Sequence, residues 1–140
     1  MKTSVYPCLW FDGKAKEAAE FYCAIFENSR IISETDLVVM FELNGKRHMG
    51  LNVGPVFRFN EAVSFVVECE TQQEIDYYWS RLTEGGEESM CGWLKDKYGV
   101  SWQVFPAILN QLMADPEKAP KVMAKFGNIR KFEMNDLLNL

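Results

Sequence analysis

CGWLKDKYGVSWQVFP, residues 91–106, sets two tryptophans around a polar tip, Lys95-Asp96-Lys97-Tyr98-Gly99. Runs of β-formers on both sides of a short loop ending in glycine predict a β-hairpin. Side chains alternate along its second strand. Ser101, Gln103 and Phe105 therefore share one face, and Val100, Trp102 and Val104 the other. Gln103 is a polar group between apolar neighbours, on a face it shares with Ser101. What that face looks at becomes the functional question.

Upstream, AVSFVVEC (62–69) reads as a strand, and Thr71-Gln72-Gln73-Glu74 as a capping box that opens a helix. That helix places Ile75, Tyr78, Trp79 and Leu82 on one face and stops before Gly85-Gly86. The first part of the chain repeats this order. VYPCLWF (5–11) is a short strand, Asp12-Gly13 a turn in which Asp12 can cap a helix, and Ala15, Ala18, Ala19, Tyr22 and Phe26 form an apolar stripe. Asn28 is a stop signal. Strands follow at about 30–35, 37–43 and 46–53, the last two joined by Asn44-Gly45, a strong hairpin signal. Gly54-Pro55 closes the unit, and 56–61 is a connecting loop. Strand, helix, strands thus recurs with starts roughly 57 residues apart.

After Pro106 the pattern turns helical. Ile108, Leu109, Leu112 and Met113 share a face, and Asp115-Pro116 reads as a cap with proline at the first helical position, while Pro120 is expected to disturb that helix. Residues 129–133 (IRKFE) read as a closing strand and 134–140 as a last helical turn, a tail apolar enough to pack on its own domain or a second subunit.

The totals narrow the function classes. A chain of 140 residues with 48% hydrophobic and 25% charged residues reads as one globular domain. A net charge of -5 and the lack of a basic block argue against nucleic acid or an anionic membrane as partner. No apolar run approaches the ~18 residues of a spanning helix, and MKTSVYPCLWFDG lacks a signal-peptide core, so a cytoplasmic location is expected. Cys8, Cys23, Cys69 and Cys91 show no CxxC pair and are expected to be free, mostly buried thiols.

The FDG turn feeding AKEAAEFY, the VSFVVEC and TQQEIDYYW segments, and CGWLKDKYGVSWQVFP together resemble the vicinal-oxygen-chelate (glyoxalase/bleomycin-resistance/dihydroxybiphenyl dioxygenase) superfamily. Within it they resemble the PhnB-like branch, whose members often carry the name 3-demethylubiquinone-9 3-methyltransferase. The resemblance spans about residues 5–133. It implies an α+β fold of two tandem βαβββ modules forming a curved, partly open barrel, here with modules at about 5–55 and 62–106 and a helical C-terminal extension, 107–140. A homodimer is implied as well. The methyltransferase name is not supported by the residues. Binding S-adenosylmethionine on a doubly wound fold needs a glycine-rich turn between strand and helix, and the chain contains no G-x-G.

Superfamily enzymes hold one divalent metal through His, Glu or Gln side chains at four strand positions. The resemblance carries those positions onto Pro7, His48, Ser64 and Gln103. Only His48 and Gln103 offer useful donors, short of the roughly three protein ligands a stable site needs. Glu42 and Glu68 lie on neighbouring strand positions as possible replacements. No tight metal is expected, with His48 and Gln103 the weak candidates. The expected ligand pocket comprises Pro7, Leu9, His48, Asn52, Ser64 and Gln103, with Gln103 orienting a small polar molecule through its acceptor and two donors. The expected function is binding of an unspecified small molecule. The alternative is a metal-dependent isomerase, lyase or dioxygenase. Lys95, Asp96 and Lys97 read as a solvated tip, and Glu87-Glu88 as a strand pair unable to face one another.

Overall fold

The computed structural model describes residues 1–140, which divide into two units, Met1–Phe59 and Asn60–Leu140. The first contains β1 (Cys8–Phe11), α1 (Ala15–Ile25), β2 (Arg30–Glu34), β3 (Val38–Leu43) and β4 (Lys46–Asn52). Its sheet order is β1-β4-β3-β2, with β1 parallel to β4 and the other pairs antiparallel. Asn44 and Gly45 take φ of 51° and 77°, the two positive values that a two-residue turn between twisted strands requires. The α1 stripe of Ala15, Ala18, Ala19, Tyr22 and Ile25 is buried. Its alanines let the helix lie close to the sheet, and Tyr22 stacks on Phe41 at 6.4 Å. The helix cap differs from expectation. Asp12 does not cap α1; the free N–H of Ala15 is instead met by Asn52 Oδ1 at 2.9 Å, across 37 residues.

The second unit contains β5 (Ser64–Cys69), α2 (Gln72–Thr83), β6 (Glu87–Glu88), β7 (Trp93–Lys95), β8 (Ser101–Pro106), α3 (Ile108–Ala114), α4 (Ala119–Phe126) and α5 (Met134–Leu138). Its sheet order, β5-β8-β7-β6, repeats the first unit's topology strand for strand. The architecture is therefore α+β, with two four-stranded mixed sheets, neither closed on itself. The Thr71/Glu74 capping box forms at the start of α2, and Ile75, Trp79 and Leu82 bury against the face of the sheet that carries Val67, Leu94, Trp102 and Val104.

The expectation of a solvated hairpin tip fails at Asp96. Its side chain is 3% exposed. Oδ1 accepts from the backbone N–H groups of Tyr98 and Val100, at 2.8 and 3.1 Å, and Oδ2 from the Trp102 indole at 2.9 Å. A carboxylate that can satisfy three donors inside the turn is worth burying, because each donor would otherwise go unpaired.

The C-terminal extension packs on its own unit. Leu112, Val122, Phe126, Phe132 and Leu137 gather around Phe105 in one buried cluster. Pro120 opens α4 rather than disturbing it, since its missing N–H falls in the first turn, where no intrahelical partner is available. Asp115 caps the turn before it through the N–H of Glu117. Residues 129–133 form no strand. They are fixed by other means: Ile129 and Arg130 carbonyls accept from Cys91 and Gly92 N–H, and the Gln72 amide donates to Phe132 O and accepts from Met134 N–H. Gly92, at φ 79°, has no room for a side chain, because an added Cβ would stand 2.7 Å from Val104 O. All four thiols are free, but only Cys69 is buried and Cys8 is exposed. Burial, then the Glu74 carboxylate, pushes Cys69 up to about 12, so it stays a thiol at neutral pH.

Asp96→Ala is expected to cost about 3 kcal/mol in urea unfolding, because three donors lose their acceptor. Lys97→Ala at the exposed tip should stay within about 0.5 kcal/mol of the parent.

Candidate functional site

Strand register assembles a row of polar side chains across the second sheet. Glu87 on β6 pairs with Lys95 on β7, Lys95 with Ser101 on β8, and Ser101 with Ser64 on β5. The next row on this face is Trp93, Gln103 and Val66. Because α2 covers the opposite face, these residues lie on the side the helix leaves open. Further along, the same face is closed by the extension: Phe105 enters the C-terminal cluster, and Asn110 of α3 donates to Glu68.

A cleft of about 430 Å³ opens beside the first row. Ser101, Lys95 and Trp93 line it from the strands, Glu87, Glu88 and Met90 from β6 and the turn after it, and Glu61 from the segment before β5. Ser101 is 1% exposed, and its hydroxyl is the buried side-chain polar atom left without a partner. A buried hydroxyl usually finds a hydrogen bond, so an orphan facing a cleft marks a place where a bound group can supply one. Nearby, Gln103 donates from Nε2 to Ser64 Oγ at 3.0 Å. That bond holds the amide in place and leaves its carbonyl as an acceptor. The Lys95 ammonium bonds to the Glu61 carboxylate, holding that carboxyl below its usual range and raising its own pKa in turn, so both stay charged at neutral pH. Glu88 accepts from the Trp79 indole at 2.8 Å and pairs with Arg130 at 3.5 Å.

The first unit gives its expected site residues other duties. His48 pairs with Phe41 and stacks on it at 5.3 Å, so it faces α1 among apolar side chains. Its Nδ1 lies 2.8 Å from Lys46 O. Leu9 and Asn52 share that parity through their register with Gly50 and Phe11; Leu9 is core, and Asn52 caps α1. Pro7 precedes β1, and its carbonyl accepts from Met49 N–H at 3.0 Å. Of the six expected pocket residues, the structure thus joins Ser64 and Gln103 on one face, and directs Leu9, His48 and Asn52 toward α1. Sequence reasoning missed Glu87, Trp93, Lys95 and Ser101 as a group. The signal was there in the period of two, which puts Trp93 and Lys95 level with Gln103 and Ser101 once the hairpin register is known.

These residues do not fit the superfamily's metal. Pro7 offers no side-chain donor, His48 turns its ring toward α1, and Ser64 and Gln103 bond to each other. The two possible replacements are also engaged, Glu42 with Arg30 and Glu68 with Asn110. No group of three or more His, Cys, Asp or Glu side chains assembles that could hold an ion.

A family model described as 3-demethylubiquinone-9 3-methyltransferase matches residues 3–105. The chain belongs to this family, the PhnB-like branch of the vicinal-oxygen-chelate superfamily. A Bacillus cereus structure, described as a putative 3-demethylubiquinone-9 3-methyltransferase, PhnB protein, is 36% identical, with a TM-score of 0.69 over 75% of this chain and 100% of its own. The fosfomycin resistance protein FosX from Listeria monocytogenes, complexed with Mn(II) and sulfate, is 14% identical, with a TM-score of 0.61 over 81% of this chain and 97% of its own. A glyoxalase-related enzyme from Fulvimarina pelagi is 11% identical, with a TM-score of 0.57 over 77% and 90% of the two chains. The last two share the fold alone. No curated protein matches the chain. The PhnB-like match ends at residue 105, so α3 to α5 lie beyond it. The family's methyltransferase description finds no doubly wound sheet here, since each sheet has one parallel pair. No helix is long and apolar enough to cross a membrane.

Burial holds the His48 imidazole below its ordinary value of 6.5, with the Lys46 carbonyl opposing this and the Lys46 charge adding to it. A base whose folded pKa is depressed favours the fold while neutral. That contribution is full above the unfolded value and is lost as pH falls through it toward the folded one. His48 is the only histidine, so its NMR titration should give one midpoint below 6.5. Stability should fall as pH drops from about 7 to 5, with a slope that His48→Phe reduces.

Proposed function

We propose that this PhnB-like protein binds a small molecule in the cleft of its second unit. The observation that carries this reading is the Ser101 hydroxyl, buried without a partner and lining a cleft of about 430 Å³. That volume lies in the range of small-molecule sites. The bound molecule bonds to Ser101, while Trp93 and Met90 supply apolar contact. Glu61 and Lys95 fix the charged rim. The chain works as one domain and as a homodimer.

Binding proceeds without a tightly held metal. The donor set supports this, because two of the family's four metal positions, Ser64 and Gln103, satisfy each other and a third, Pro7, has no donor. Elemental analysis after incubation with manganese, nickel and zinc, followed by desalting, should find far less than one ion per chain. About one ion per chain would return the protein to the metal-dependent enzymes. Sedimentation equilibrium should give twice the 16.2 kDa chain mass.

A fragment screen read by NMR tests the site itself. Hits should shift the Trp93 indole N–H and the Ser101 amide. Ser101→Ala should weaken them while leaving stability unchanged or higher by up to about 1 kcal/mol, since it removes an unsatisfied buried group. A Ser101→Ala protein that is destabilised and binds as before would show a purely structural serine.

A further inference from the structure

The charge around the cleft is lopsided. Glu61, Glu87 and Glu88 contribute three carboxylates to its lining and Lys95 one ammonium. Two of the three carboxylates are already engaged, Glu61 by Lys95 and Glu88 by Arg130 and the Trp79 indole. Glu87 makes no ion pair, although it stands directly across from Lys95 in the strand register and on the same face. Lys95, the single cation of the lining, is turned to Glu61. One ammonium therefore serves two carboxylates, bonding to Glu61 and acting on Glu87 only through space, so the lining keeps a net negative charge that disfavours an anionic ligand.

The buried hydroxyl adds an independent requirement. Ser101 Oγ is aligned with Lys95 and Glu87 along one row of the sheet, is 1% exposed, and has no partner. A hydroxyl can donate or accept, so Ser101 requires a polar group on the ligand and its lone pairs can take an ammonium N–H, while the sign of the charge is set by the carboxylates around it. The Trp93 indole in the same lining presents a π-surface of the kind that attracts organic cations, with Met90 as an apolar wall.

Resting on the binding site proposed above, we infer that its ligand is a small organic cation, a primary ammonium carried on a compact apolar or aromatic body. The ammonium bonds to Ser101 Oγ and pairs with Glu87, and the body lies against Trp93 and Met90. Glu87 sets the preference for cations. Ser101 orients the ligand.

Three probes of one shape decide between ligand classes: 2-phenylethylammonium, 2-phenylethanol and 3-phenylpropionate, each titrated into the ¹⁵N-labelled full chain and followed by NMR and calorimetry. The ammonium should shift the Trp93 indole and Ser101 amide signals and bind about tenfold or more tighter than the alcohol, with the carboxylate weakest. Glu87→Gln, an exposed and isosteric change, should remove most of that tenfold preference. Equal binding of alcohol and ammonium at these signals, or a preference that survives Glu87→Gln, would overturn the cation assignment and leave the binding cleft standing. Shifts confined to other parts of the chain, or none with any probe, would overturn the cleft as well.

Discussion

The buried carboxylate of Asp96 is the constraint on which the second unit depends. By accepting from two backbone N–H groups of its own turn and from the Trp102 indole, it closes the loop between β7 and β8. Closing that loop fixes which residue of β7 stands opposite which residue of β8. A slip of one residue would turn every side chain of a strand to the other face. Asp96 thereby keeps Trp102 and Val104 against α2, and Ser101 and Gln103 on the opposite side. The central pairs of the two rows on that face, Lys95 with Ser101 and Trp93 with Gln103, follow from this one turn.

The two units show how the same topology can serve different ends. Both sheets run in the same order, with one helix on one face. In the first, the residues at the expected functional positions are absorbed by the helix side: His48 by stacking on Phe41, Asn52 by capping α1, Leu9 by the core. In the second, Gln103 and Ser64 satisfy each other while Ser101 does not find a partner. The unsatisfied hydroxyl, rather than the metal positions, gives this chain its clearest chemical signal. The C-terminal helices add to the asymmetry by covering Phe105 on the open face of the second sheet.

Much of this was legible in the residues. The Asn44-Gly45 turn, the Thr71/Glu74 capping box, both helix stripes and the alternation of β8 are local signals, and each is set by the backbone conformation of neighbours in sequence. The family resemblance rested on the same segments. The errors came where a residue's partner is distant. Asp12 looked like the cap of α1, but Asn52 reached it from 37 residues away. Residues 129–133 read as a closing strand, yet the Ile129 and Arg130 carbonyls are taken singly by the N–H groups of Cys91 and Gly92.

The sequence alone therefore determined the elements, their repeated order and the face of β8 that carries Gln103, because period and turn chemistry act over a few residues. Only the tertiary structure decided which polar groups are satisfied. Whether Asp96 is solvent-exposed or the centre of a turn, whether His48 faces a cleft or a helix, and whether Ser101 has a partner all depend on register between strands and on burial. Those are set by contacts across the fold, where one distant hydrogen bond outweighs the preference of a residue for water.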